Sequence, residues 1–325
     1  MPKIALVQAG TVLYDKAATL EKVKKYVEEA SENGAELVLF PEAFIGGYPK
    51  WNSFGITMGT RTPEGRKEFK SSVEPIAEHN SPLHSTFPLP RYFENSIEEH
   101  GEESKLLETL AAQKNIHIVI GVVEREASTL YCSVFFYSPE GYLGKHRKLL
   151  PTALERCVWG QGDGSTMPVF NTSVGKIGSA ICWENYMPLY RMTLYSKEIQ
   201  IYLAPTVDDR DVWLSTMRTI ALEGRCFVVS SCQFLKSSAY PSDHALRKEY
   251  GDDTILIRGG SCAVDPLGTV LVKPDFTKET IRYTEFDLSD IALGKMDLDV
   301  VGHYSRPDVF ELRVNENSQS TVSKK

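Results

Sequence analysis

The chain has 325 residues, which at about 150 residues per domain leaves room for one large domain or two. A hydrophobic fraction of 42% and a charged fraction of 24% exclude a disordered, collagen-like or low-complexity chain. The 36 basic residues against 43 acidic ones give a net charge of −7, which argues against a general nucleic-acid binder or a basic membrane-surface protein.

The first apolar run, Lys3 to Ala9, has strand length and no cleavage pattern after it, so it reads as a strand and not a signal peptide. Leu20, Val23, Val27 and Ala30 then recur at spacings of three and four, the signature of a helix with one buried face, and Asn33-Gly34 stops it. Leu37 to Phe40 is a fully apolar strand cut off by Pro41. Strand, helix and strand with short links predict a parallel pair in an α/β layer. A helix near Lys105 to Lys114 leads to a buried strand over Ile116 to Val123.

Two later stretches share one pattern. Leu130 to Tyr137 passes through Pro139-Glu140-Gly141 into Tyr142 to Lys145, and Ser261 to Val264 passes through Asp265-Pro266-Leu267-Gly268 into Thr269 to Lys273. Each predicts a hairpin. Gly175 to Ile181, Ile199 to Ala204 and Cys226 to Ser231 read as buried strands, with helices over 189–196 and 212–222 between them. Parallel units and a hairpin in each half predict two similar layers packed together. No long linker divides the chain, so a single domain over 1–314 is expected, with a loop insertion at 71–90, where four prolines break any periodicity, and a mobile polar tail at 315–325. No run of 18 apolar residues exists, so no membrane-spanning helix is expected. Six scattered cysteines without a C-x-x-C pair suggest reduced thiols and a cytoplasmic location.

Three segments draw attention as chemistry. Phe40-Pro41-Glu42 places a carboxylate at the carboxyl end of a parallel strand, the edge where α/β sheets hold ligands. Lys145-His146-Arg147-Lys148 is a run of four basic residues in an acidic chain. Gly178 to Ile181 is a strand of small and apolar residues that ends at Cys182, followed by Trp183-Glu184-Asn185. Taken singly, these segments read as well as a loop carboxylate, a solvated charged turn and a buried structural thiol. The P-loop and G-x-S-x-G patterns are absent, and the seven histidines show no ligand spacing, so no metal or cofactor is implied.

Together, in the order Glu42, Lys148, Cys182, they resemble the nitrilase superfamily of carbon–nitrogen hydrolases. The local contexts Phe-Pro-Glu, Arg-Lys-x-x-Pro-Thr and Cys-Trp-Glu-Asn match, and the segment from Leu154 to Ser165 resembles the true nitrilase branch in particular. The resemblance implies a four-layer α-β-β-α sandwich, two mixed sheets face to face with helices outside. It also implies homodimers that assemble into larger homo-oligomers or helical filaments. The activity it implies is hydrolysis of a small nitrile to the acid and ammonia, with Cys182 as nucleophile, Glu42 as base and Lys148 as charge stabiliser. Glu155 then stands as a second carboxylate that holds Lys148 or orients water. Tyr48, Trp51, Trp159 and Trp183 are candidate pocket walls, although ordinary packing explains aromatics equally well. A nitrile or cyanide hydratase, an amidase and a catalytically inactive scaffold remain as alternatives; the intact triad counts against the last.

Overall fold

The computed structural model describes residues 1–50 and 89–319, so Trp51, the stretch 71–88 and residues 320–325 lie outside the described residues. Leu89 and Pro90, at the end of the expected insertion, begin a short helix.

The first sheet holds β1 (Lys3–Gln8), β2 (Leu37–Leu39), β3 (His117–Glu126), β4 (Thr129–Ser138), β5 (Gly141–Arg147) and β14 (Thr280–Glu285), in the order β14-β1-β2-β3-β4-β5. The second holds β6 (Val169–Thr172), β7 (Gly175–Ser179), β8 (Ile201–Thr206), β9 (Phe227–Cys232), β12 (Cys262–Val264) and β13 (Val270–Val272), in the order β13-β12-β9-β8-β7-β6. Strands β10 (Phe234–Lys236) and β11 (Ile255–Arg258) form a separate ribbon.

The strand directions are the same in both sheets. From β14 to β5 the neighbours run antiparallel, parallel, parallel, antiparallel, antiparallel. From β6 to β13 the sequence of directions is identical. Thus β1 corresponds to β7, β2 to β8 and the β4–β5 hairpin to β12–β13, which bears out the two similar layers. The edge strands differ in origin: β6 is the hairpin partner of β7, whereas β14 returns from near the carboxyl terminus to pair with β1. The sequence reading missed β14, whose half-buried TIRYTE run lacks the apolar continuity of the central strands.

Both faces of each sheet are covered. Ile4, Leu6, Leu37, Leu39, Val119, Phe136, Ile177, Ile201, Leu203, Phe227 and Val229 fill the space between the sheets. Their chain neighbours Ala5, Val7, Val38, Ile118 and Phe135 face the other way, against α1 (Lys16–Glu32) and, after the short α2 (Leu89–Glu94), α3 (Glu102–Lys114). On the far side, Tyr202, Ala204, Val228 and Val264 pack on α4 (Pro188–Ser196) and α5 (Trp213–Gly224). The result is the α-β-β-α sandwich. Burial of both faces is why these strands read as unbroken apolar runs instead of alternating ones. Helix α1 starts where the Asp15 carboxylate accepts the Ala18 N–H at 2.8 Å, and stops at Asn33, with Gly34 at a φ of 74°. In the last described stretch, the Gln319 N–H donates to Asp163 Oδ2 at 2.7 Å and Glu316 pairs with Lys197 at 2.5 Å.

Gly121 in β3 shows how tightly the fold fixes the turn after β2. A Cβ there would lie 2.2 Å from the Pro41 carbonyl oxygen and 2.7 Å from the Glu42 Cα. The Gly121 carbonyl also accepts the Phe44 N–H at 2.8 Å. Gly121→Ala must push the Glu42 turn away from the sheet. Overpacking of this kind costs about 1–3 kcal/mol. A lowered unfolding midpoint together with a larger loss of any activity that depends on Glu42 is the expected outcome, measured by thermal unfolding beside turnover.

Candidate active site

Strand ends bring the site together. Glu42 lies just after β2, Lys148 just after β5 and Cys182 just after β7, all on the rim of the space between the sheets. Glu42 is fully buried and Lys148 is 1% exposed. Lys148 Nζ donates to Glu42 Oε1 at 2.6 Å and to Glu155 Oε2 at 2.8 Å, so one ammonium bridges two carboxylates. Glu42 Oε2 accepts the Val207 N–H at 3.1 Å, and the Glu42 carbonyl accepts Gln233 Nε2 at 2.8 Å. The backbone of Lys148 is pinned on both sides, its N–H to the Cys132 carbonyl and its carbonyl to the Gly162 N–H, each at 2.8 Å.

Glu155 sits on a 3-10 turn over Ala153–Cys157 and is 8% exposed. Its Oε2 also accepts the Thr152 N–H at 2.7 Å, closing a capping box, and its Oε1 accepts the Tyr48 hydroxyl at 2.9 Å. The expectation of a second carboxylate beside Lys148 therefore has a matching geometry.

Cys182 opens a 3-10 turn over Cys182–Tyr186 with a φ of 50°. This left-handed conformation costs a non-glycine residue about 1–3 kcal/mol and persists only where its surroundings hold it. Asn185 Nδ2 supplies part of that hold, donating to the Cys182 carbonyl at 2.7 Å and to the Ala180 carbonyl at 3.0 Å. Glu184 supplies the rest, its Oε2 accepting the Ile181 N–H at 2.7 Å. The thiol is buried within electrostatic reach of Glu42, Lys148 and Glu155, with the Thr206 side chain bonded to it.

The charges explain how these groups titrate. Burial pushes the Glu42 carboxyl above the usual carboxylate range, and the Lys148 ammonium only partly offsets it. Burial alone would lower the Lys148 ammonium, yet Glu42 and Glu155 hold it well above the ordinary value. Burial, with Glu42 second, pushes the Cys182 thiol well up, outweighing Lys148. The sequence reading gave Lys148 the task of lowering this thiol. Lys148 does pull this thiol down, but two carboxylates share the ammonium and burial is the larger effect, so the thiol stays well above its ordinary value.

The aromatic candidates divide. Tyr48 is half-buried, bonded to Glu155 and edge-on to Trp159 at 5.9 Å. Trp159 is buried, with Lys148 Nζ 5.7 Å from its ring centre. Trp183 is 45% exposed; its Nε1 donates to Asp208 Oδ2 at 2.9 Å, and the Arg210 guanidinium lies 5.1 Å over its ring. The Arg210 bonds, with Trp183, hold the Asp208 carboxyl below the usual range against the effect of burial.

Three site-forming side chains had no role in the sequence reading. Cys132, buried in β4, lies 3.6 Å by its Sγ from Glu42 Oε1. Asp208 anchors Trp183, and Glu184 holds the Cys182 turn. Of these, only Glu184 had a local signal, since a carboxylate three residues after Ile181 at a strand end fits a capping box. The four-residue basic run is not a solvated turn. Lys145 and Arg147 point one way and bind the buried Glu124, at 2.6 and 2.5 Å. His146 and Lys148 point the other way, into the site.

Among the described residues no group of His, Cys, Asp and Glu is arranged to hold a metal ion. The acid–base pair and the thiol are matched to adding a nucleophile to an electrophilic carbon. Glu42→Gln should leave the fold intact and slow such a reaction by about 10²–10⁴-fold, the usual worth of a positioned base. Lys148→Met strands two buried carboxylates, so it should also lower stability by about 3–5 kcal/mol. Denaturant unfolding of both variants beside their turnover separates these effects.

The family model described as carbon–nitrogen hydrolase matches residues 3–295. The chain is 49% identical over 322 residues to Nitrilase blr3397 of Bradyrhizobium diazoefficiens, covering 99% of this chain and 94% of that one. It is 47% identical over 327 residues to Nitrilase 1 of Arabidopsis thaliana, covering 99% and 89%. In structure it resembles the Caenorhabditis elegans NitFhit protein with a TM-score of 0.69 at 18% identity, covering 98% of this chain and 68% of that one, a likeness of fold.

Proposed function

Because the chain belongs to the carbon–nitrogen hydrolase family, we propose that it is a nitrilase, converting a small organic nitrile to the carboxylic acid and ammonia. The observation that carries this reading is the buried Lys148 ammonium held by Glu42 and Glu155 beside the Cys182 thiol. The names of the relatives support it.

A nitrile carbon is a weak electrophile and needs a strong nucleophile. Thiolate sulfur meets that need, but the Cys182 proton must leave first. Glu42, raised by burial, takes it as the sulfur adds to the nitrile carbon and hands it to the nitrile nitrogen, giving a thioimidate and a free carboxylate again. Water then adds, its proton passing through Glu42 to the nitrogen. The hydroxyl of the tetrahedral adduct gives its proton through Glu42 to the departing amine, which leaves as ammonia, and an acyl thioester remains. A second water, activated in the same way, releases the acid and restores the thiol. Lys148 and the Trp183 N–H stabilise the charge that builds in each adduct, a contribution typically worth about 10²–10³ in rate per donor. Glu155 keeps Lys148 in place, with Tyr48 holding Glu155. Tyr48, Trp159 and Trp183 line the approach to Cys182.

The remaining parts of the proposal concern organisation. The chain acts as one domain over 1–314 and works in the cytoplasm, where its six unpaired cysteines stay reduced. It forms homodimers and larger homo-oligomers through the outer helices, a reading supported by the exposed Leu189 of α4 and Leu222 of α5. Light scattering on the purified protein tests assembly, and a monomer would refute it.

The direct test is a panel of aryl, arylaliphatic and aliphatic nitriles, scored for acid, amide and ammonia. Acid with one equivalent of ammonia is expected, with no turnover by Cys182→Ala. Amide as the sole product would make the enzyme a hydratase. Turnover by the Ala variant would remove Cys182 as nucleophile.

The pH profile offers a further check. Below its own pKa Glu42 is protonated and cannot accept the Cys182 proton, so kcat/KM should fall as pH drops. Since burial raises Glu42, that limb should lie above the ordinary glutamate value of about 4.3. A limb at or below that value would contradict the assigned base.

A further inference from the structure

The reaction steps leave one buried ionisable pair unused. Glu184 is 1% exposed and His146 is fully buried. They meet with Glu184 Oε2 2.8 Å from His146 Nε2. The carboxylate has two further partners, one on each side of the site. Its Oε2 accepts the N–H of Ile181, the residue before Cys182, at 2.7 Å. Its Oε1 accepts the N–H of Leu149, the residue after Lys148, at 2.6 Å. A single side chain thus ties the turn of Cys182 to the loop of Lys148, across two strands of different sheets.

Donor and acceptor counting places one hydrogen on the ring. His146 Nδ1 lies 2.6 Å from the Thr166 carbonyl oxygen, which can only accept, so Nδ1 carries a hydrogen. The Tyr190 ring stacks on the imidazole, and its hydroxyl donates to the Ser179 carbonyl at 2.5 Å, so it offers the ring no hydrogen. A second hydrogen, on Nε2, would let the ring donate to the Thr166 carbonyl and to the Glu184 carboxylate at once.

We propose that Glu184 is a positioning residue for the Cys182 chemistry, with protonated His146 as the counter-ion that lets its carboxylate stay charged inside the protein. The carboxylate keeps Cys182 in its left-handed turn and in register with Lys148. A shift of the nucleophile by about 1 Å is enough to cost about 10²-fold in rate, so a residue that never touches substrate can control kcat. Local alternation reinforces the arrangement: His146 and Lys148, two residues apart along one extended segment, share a face. The proposal rests on Cys182 as nucleophile, but its spectroscopic arm does not.

The test combines kinetics and nitrogen-15 spectroscopy. In Glu184→Gln one end of the side chain becomes an N–H2 group facing a donor, so the clamp opens. Active sites are titrated by alkylation of Cys182, and kcat is expressed per titrated site. A fall of about 10²-fold in kcat with KM within about threefold is expected; unchanged kcat in the folded variant overturns the role. A loss confined to unfolding midpoint, with kcat kept, makes Glu184 merely structural and also overturns it. Should that variant not fold, His146→Gln replaces it, since its amide donates to Glu184 without charge. At least a tenfold fall in kcat at unchanged KM is expected there, and an unaltered kcat overturns the proposal. Independently, ring-labelled histidine in the unmodified enzyme at assay pH should show a solvent-protected ring protonated on both nitrogens, its signal absent in His146→Gln. A single protonated nitrogen at His146 overturns the ion pair. Failure of Cys182→Ala to abolish turnover would instead sink the nucleophile assignment and leave this spectrum unchanged.

Discussion

Everything at this site depends on keeping one ammonium out of water. Lys148 is buried, and an unpaired buried ammonium would lose its proton or pull the protein open. Two carboxylates prevent that, each within 2.8 Å. They come from separate places: Glu42 from the end of β2, Glu155 from a 3-10 turn that follows the lysine itself. The cluster carries one net negative charge when all three groups are ionised. Burial first and that surplus second raise the neighbouring thiol, whose proton a base must then take. The lysine works as a fixed partner to the base and to charge that develops later, and not as a standing activator of sulfur.

The sandwich supplies the stiffness this needs. Both sheets are covered on both faces, and the three groups sit at strand ends whose positions the sheets fix. The repeated pattern of strand directions gives each half its own set of such ends. The β2 and β5 ends of the first sheet and the β7, β8 and β9 ends of the second are furnished with site residues, the last two through the Val207 N–H and the Gln233 amide on Glu42. The left-handed Cys182 is the strained point of this frame. Asn185 and Glu184 hold it through hydrogen bonds to the surrounding turn.

Much of the fold was legible because its signals are local. The 3.6-residue rhythm of α1, the Asn33-Gly34 stop and the two proline–glycine hairpins follow from how single residues restrict the backbone. The central strands were legible as unbroken apolar runs, since helices on one side and a second sheet on the other leave no polar face. Strand β14 was not, because an edge strand with half-buried side chains carries neither signature. The helix limits moved by one to three residues, as ends do where the terminal turns are set by tertiary contacts. At the site, Glu42, Lys148 and Cys182 stood out by residue type and context. Cys132 and Asp208 did not, since a thiol in mid-strand and an acidic residue after a strand look like ordinary packing and ordinary surface.

By itself, the sequence determined the two layers, the ends of the central elements and the residues able to carry chemistry. These follow from local periodicity, turn chemistry and the recurring order of a few motifs. The tertiary structure alone decided the electrostatics. It brought residues 106 positions apart to 2.6 Å, set two carboxylates on one ammonium, and buried the thiol beside them, which raises it. It also split the run Lys145 to Lys148 between two buried carboxylates, Glu124 and Glu42, and gave His146 to Glu184. A linear sequence shows which charges exist; how each one acts depends on what water it loses and which opposite charge replaces that water, and both are properties of the folded chain.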